Sequence, residues 1–182
     1  GSEMCIRDRF SMMKKGQIVE IPAESEIYRA EAPAFHSKRD ELVSKSARRQ
    51  YSLFDGFLVG EHDGADRFRL GQRKGINVGG KKEPLYVIGI DEGNNRIFVG
   101  AGSEHPGLLT QVVRLGQQTD SFDNFNCSED ALQHGVQISF VPAAGDGEIA
   151  ARLYKFDGDY FLEFDRLVPV TITENPFVVR IK

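Results

Sequence analysis

The sequence predicts a mainly β protein made of two small β-rich modules. Three observations carry this. Short apolar or alternating runs recur along the chain, turn dipeptides of the Asp-Gly type separate them, and neither a long amphipathic helix nor a β-α-β alternation is present. Charge is distributed unevenly as well. Residues 1–90 hold 16 Lys and Arg against 13 Asp and Glu, while residues 91–182 hold 7 against 14. The overall net charge of −4 therefore divides into +3 and −7, an asymmetry that suggests modules with different partners. A chain of 182 residues with 13 Phe can bury a core without staples, as one domain or two small ones.

The elements follow in order. Residues 17–21 (QIVEI) alternate and are stopped by Pro22, which suits a short strand. Residues 38–49 (KRDELVSKSARR) contain good helix formers but few apolar residues, so they read as a solvated helix or an exposed insertion. Residues 57–59 form a short apolar run between the turn signals Asp55-Gly56 and Asp63-Gly64. Residues 85–90 (LYVIGI) and 96–99 (RIFV) are strands about the turn 91–95, and 108–115 form another. Residues 128–133 suit one helical turn. Strands are then expected at 136–141, 148–156, 160–165, 168–172 and 177–181, with a hairpin at Asp157-Gly158-Asp159. Their close spacing suggests a small barrel or sandwich.

The first nine residues have a separate explanation. Met4 to Arg9 can be encoded by the transposase end used to tag DNA fragments for sequencing. Residues 1–13 are therefore expected to be a non-native or disordered terminus. No stretch approaches the roughly 20 apolar residues of a membrane span. Two cysteines, Cys5 and Cys127, are too few for a disulfide framework, which points to a reducing cytoplasm and no membrane partner.

Several chemistries lack their signatures. His36, His62, His105 and His134 stand far apart, without zinc-ligand spacing, so no metal site is expected. There is no Gly-x-Ser-x-Gly elbow, and the glycines at 71–80 fit neither a P-loop nor a dinucleotide fingerprint. No catalytic residue and no cofactor is assigned to this chain.

One stretch does stand out. Residues 67–82 (RFRLGQRKGINVGGKK) hold six basic residues, no acidic one and four glycines. Glycine lets a backbone approach a phosphate closely, and Arg and Lys neutralise it. The composition suits either a solvated basic turn or a contact to a phosphodiester backbone.

Here the sequence resembles a known family, the bacterial tRNA-specific 2-thiouridylases. Gly71-Gln-Arg-Lys-Gly75, then Ile76-Asn-Val-Gly-Gly80 and Glu83-Pro-Leu-Tyr-Val87, are similar to its signature. Gly16-Gln-Ile-Val19, Gly60-Glu-His-Asp-Gly64 and Gly102-Ser-Glu-His-Pro-Gly-Leu108 resemble its flanking motifs in the same order. Beyond Leu108 the resemblance is faint. It implies a mainly β fold in which a small β-rich central domain (14–105, with an insertion at about 22–53) precedes a small antiparallel β-barrel (106–182). The family's PP-loop domain, which uses ATP and carries the sulfur-transferring cysteines, has no counterpart here. Cys5 imitates the second of those cysteines, but the DNA-tag reading explains every residue of Met4–Arg9.

The resemblance implies that Gln72, Arg73, Lys74, Lys81 and Lys82 bind tRNA and that Gly71, Gly75, Gly79 and Gly80 shape the loop. Partners are expected to be tRNA and, for the full-length enzyme, a sulfur-relay protein. The implied function is the C-terminal portion of a tRNA 2-thiouridylase, inactive by itself. The alternative is a stand-alone, non-catalytic RNA- or protein-binding module starting at Met12 or Met13. The second half departs from the family's pattern: Ile138-Ser-Phe-Val141 stands where an Arg-Tyr-Arg-like contact belongs, and Glu174-Asn175 where a Gly-Gln belongs.

Overall fold

The computed structural model describes residues 15–29, 34–145 and 147–182. The expected terminus at residues 1–13, including Cys5, lies outside the described residues. The chain is mainly β and divides into two compact units. The first comprises the described residues up to 29 together with Arg49–Leu108, and the second comprises residues 34–48 together with Leu109–Lys182.

The first unit is a four-stranded sheet of β1 (Gly16–Glu20), β2 (Phe57–His62), β3 (Leu85–Asp91) and β4 (Arg96–Ala101), in the order β2-β1-β4-β3. β1 pairs antiparallel with β2 and parallel with β4, and β3 pairs antiparallel with β4. The turn between β3 and β4 is set by Asp91, whose carboxylate accepts the Asn94 backbone N–H (3.2 Å) and side-chain N–H (2.7 Å). That side-chain bond holds the Asp91 carboxyl below the usual carboxylate range. Asn95 closes the turn in the left-handed region, which Asn tolerates better than most residues.

This sheet buries both faces. Ile18, Val87, Ile97 and Val99 point to one side, where Phe68, Leu70, Ile76 and Val78 cover them. Val19, Ile88 and Phe98 point to the other, covered by Ile27, Tyr28, Tyr51 and Leu53. The hydroxyls of Tyr28 and Tyr51 meet at 2.7 Å within that cover. The two ends of the segment expected as an insertion at about 22–53 are thus core material. Its middle is α1 (Lys38–Ser46), which the sequence reads as a solvated helix or exposed insertion. The helix is present and largely solvated, but it is docked within the second unit, where Leu42 is fully buried against Val112, Tyr154 and Phe161. Lys38 reinforces the contact by pairing with Glu163 at 2.8 Å and lying over the Tyr154 ring.

The second unit is a six-stranded sheet: β5 (Leu109–Gly116), β6 (Phe122–Asp123), β7 (Val136–Pro142), β8 (Ile149–Phe156), β9 (Asp159–Pro169) and β10 (Phe177–Ile181). The order is β5-β9-β8-β7-β10-β6. The hairpin expected at Asp157-Gly158 joins β8 and β9, and both residues have positive φ (53° and 83°), as a two-residue turn of this kind requires. The two strands expected at 160–165 and 168–172 are instead one long β9, whose register against β5 jumps between Thr110 and Val112. The helical turn expected at 128–133 is α2 (Glu129–His134), capped by Ser128, and it buries Leu132 in the core.

The mainly β class holds, in two sheets, and the ladders among the described residues do not close the second sheet into a barrel. β6 has two residues and pairs parallel with β10, so β5 and β6 remain two edges of an open sheet with no ladder between them among the described residues. No helix among the described residues is long and apolar enough to cross a membrane.

Candidate nucleic-acid interface

Apart from a 3-10 turn at Ala65–Arg67, residues 64–84 contain neither helix nor strand. Their apolar residues explain how such a segment stays in place. Phe68, Leu70, Ile76 and Val78 point into the sheet, and the basic residues between them face outward. Two backbone bonds pin the segment to β3: the Gly71 N–H donates to the Val87 carbonyl (2.8 Å), and the Val87 N–H donates to the Gln72 carbonyl (2.9 Å).

The side chain of Gln72 works inside the loop. Its Oε1 accepts the Arg69 backbone N–H at 3.0 Å, and its Nε2 donates to the Lys74 carbonyl at 2.7 Å. Both contacts hold the turn that presents Arg73 and Lys74. Lys81 also has internal partners: its ammonium lies 2.7 Å from the Glu20 carboxylate and 5.3 Å from the centre of the Phe57 ring. Gln72 and Lys81, two of the five residues expected to contact tRNA, thus have partners within the fold. Arg73, Lys74 and Lys82 differ, being exposed with no ion pair among the described residues. Arg67 and Arg69 are exposed in the same run and extend this basic surface. They were legible as part of the same charge run, yet the family signature does not include them.

The four loop glycines separate by what the backbone demands. Gly71, Gly75 and Gly80 have φ of 81°, 88° and 76°, where a side chain is strained. Gly79 has no such φ, and a Cβ there would meet nothing within 4 Å. The fold therefore has no use for glycine at 79, which lies open to solvent.

Two histidines frame this unit, and both are structural. His62 Nδ1 accepts the Gly64 N–H and His105 Nδ1 accepts the Gly107 N–H, each at 3.0 Å. The repeated His-x-Gly spacing is the sequence signal for both. His105 Nε2 then donates to the Ile21 carbonyl at 2.7 Å. Burial pushes both imidazoles below the usual histidine range, so each is held neutral. A folded-state value below the unfolded value of about 6.5 means that the unfolded chain takes up protons first. Stability is then full above about pH 6.5 and is lost as pH falls toward the folded values. The urea midpoint should therefore drop between pH 7.5 and 5.5, and the drop should persist when the exposed His36 and His134 are replaced by Gln. A flat midpoint over that range contradicts the assignment. Among the described residues no group of three or more His, Cys, Asp or Glu could hold a metal.

The comparisons with known proteins bear on this same region. Residues 40–101 match a family model described as the tRNA methyl transferase PRC-barrel domain. The chain is 37% identical over 168 residues to the tRNA-specific 2-thiouridylase MnmA of Christiangramia forsetii, covering 91% of this chain and 41% of that protein. It is 34% identical over 167 residues to the MnmA of Flavobacterium johnsoniae, with the same two shares. Against the MnmA of Halalkalibacterium halodurans, 85 residues align at 45% identity, covering 44% of this chain and 23% of that one. An alignment of 168 residues must run well past Leu108, so the similarity extends into the second unit, beyond the motifs that carry the resemblance. The chain spans about two fifths of the length of the first two relatives.

Proposed function

Because this chain belongs to the tRNA-specific 2-thiouridylase family, we propose that it is the tRNA-holding portion of such an enzyme. It carries no sulfur transfer of its own. The observation that supports this reading is the loop at 71–82: three cations, Arg73, Lys74 and Lys82, stand exposed, with no ion pair among the described residues, on a backbone pinned to β3. Charges left unpaired beside close-approach glycines are what a phosphodiester backbone needs from a protein.

In this reading each of the three side chains neutralises a phosphate of the bound tRNA, and Gln72 fixes the turn that aims the first two. Arg73 can engage its phosphate through two parallel N–H donors, whereas the two lysines act as point charges. The ATP-dependent activation of the tRNA uridine, and the delivery of sulfur by a relay protein, belong to the part of the enzyme outside this chain. The second unit holds 10 Lys and Arg against 13 Asp and Glu over residues 32–48 and 109–182, with no run like 67–82, so in this reading the loop of the first unit is the contact.

The test is binding of an unmodified tRNA transcript, followed by fluorescence anisotropy while salt is raised from about 50 mM to about 200 mM. Three neutralised phosphates predict a loss of affinity of roughly 30-fold over that range. Absence of binding at the lower salt, or affinity that does not respond to salt, overturns the proposal.

A further inference from the structure

Next to the basic loop lies an apolar feature that neither the core nor the loop uses. Phe54 is 95% exposed, Leu58 56% and Phe57 47%. Isolated exposed apolar residues are ordinary. These three are successive large apolar side chains on one short turn and on the start of β2, which is an edge strand.

Phe54 is held out by a stiff turn. Residues Leu53–Asp55 form a 3-10 turn closed by reciprocal caps: the Ser52 hydroxyl accepts the Phe54 N–H (3.3 Å), and the Asp55 carboxylate accepts the Ser52 N–H (2.7 Å). The Ser25 hydroxyl donates to the Asp55 carbonyl at 3.4 Å. Gly56 sits so close to β1 that a Cβ would collide with the Glu20 carbonyl oxygen. The turn is thus clamped on three sides, and its one outward side chain is a phenyl ring with almost no contacts.

Cations of the loop lie beside it. Lys81 lies over the Phe57 ring, with Lys82 next in the chain. The backbone of β2 at Gly60 packs against Val78 of the loop, so strand and loop form one continuous surface. Glu20 is paired with Lys81, and the Asp55 carboxylate accepts the Ser52 N–H within the turn.

We propose that Phe54, with Phe57 beside it, is a stacking platform for an unpaired base of the RNA whose backbone the loop binds. Aromatic faces next to a line of phosphate-neutralising cations are the arrangement that holds single-stranded nucleic acid, because every base offers a π-face. Because capping and a backbone clamp already fix the turn, only the ring's own side-chain torsions are lost when a base settles on it. This proposal rests on the tRNA reading above, and it selects among RNAs: segments with unpaired bases bind through both the loop and the platform, and paired helices through the loop alone.

The experiment compares two probes, an RNA stem-loop and a blunt RNA duplex with the same number of phosphates, on the full chain and on Phe54→Ala. The full chain should bind the stem-loop about tenfold more tightly than the duplex, and Phe54→Ala should abolish that difference without altering the salt dependence. Phe54→Trp should restore it. The variant should keep its thermal midpoint, since the ring it loses is solvent-exposed. Equal affinity of the full chain for the two probes overturns the platform while leaving the tRNA reading intact; failure to bind either probe overturns both. Self-association of the chain that Phe54→Ala removes, with RNA affinity unchanged, identifies the patch as a protein contact and also overturns it.

Discussion

Replacing Arg73, Lys74 and Lys82 together by alanine is expected to weaken tRNA binding about 100-fold at low salt, at about 1 kcal/mol per lost contact. The slope of log affinity against log salt should flatten by about 2–3, because each phosphate released from the interface removes roughly 0.7–0.9 of slope. Stability should stay within about 0.5 kcal/mol, since none of the three side chains makes an ion pair among the described residues. Anisotropy titrations at several salt concentrations, beside a urea melt, measure all three quantities. An unchanged slope with intact folding means that these cations meet no phosphate. Lys81→Ala offers a contrast: it strands the nearly buried Glu20 carboxylate, so its effect should fall on stability at least as much as on binding.

The second large effect concerns the core. Phe140→Ala should destabilise the second unit by about 3–5 kcal/mol. The Phe140 ring is fully buried, stacks on Phe177 at 4.8 Å between centroids and meets Phe164 edge-on at 5.3 Å. Truncation forfeits the transfer energy of the ring, leaves a cavity that rigid neighbours cannot fill, and breaks two aromatic contacts. Against a typical total of about 5–15 kcal/mol, the loss is a large fraction. Urea denaturation followed through tyrosine fluorescence or circular dichroism reads it as a lowered midpoint. A shift below about 1 kcal/mol would contradict the packing described. The exposed Leu167, at the irregular stretch of β9, provides the internal control: its truncation should change the midpoint little.

The strands were legible because alternation and turn chemistry are local signals. Val19 and Ile18 take opposite faces of β1, and Asp157-Gly158 turns where its residue types require. What was not legible depends on partners distant in sequence. Only Leu42 of α1 is fully buried, and a single apolar residue in a polar helix does not reveal that it docks on β5 and β8. Tyr28 and Tyr51 lie 23 residues apart, and nothing local announces that their hydroxyls meet. The two-residue β6 is too short to carry a period, so its parallel pairing with β10 at the edge of the second sheet could not be read from the sequence. The candidate site divides the same way. The charge run and glycines at 67–82 stood out by composition, whereas the capture of Lys81 by Glu20 spans 61 residues and required the fold. The inward bonds of Gln72 are short in sequence, but a glutamine beside Arg and Lys looks like a ligand contact until its partners are known.

The most direct measurement of the central claim is amide mapping by nuclear magnetic resonance, with ¹⁵N-labelled chain titrated with unmodified tRNA. The account predicts shift changes and line broadening at Gly71, Arg73, Lys74, Gly75, Gly79, Gly80 and Lys82, with the amides of β7, β8 and β9 unaffected. Changes concentrated on the second unit's strands, or none at RNA concentrations that saturate the anisotropy signal, would contradict it.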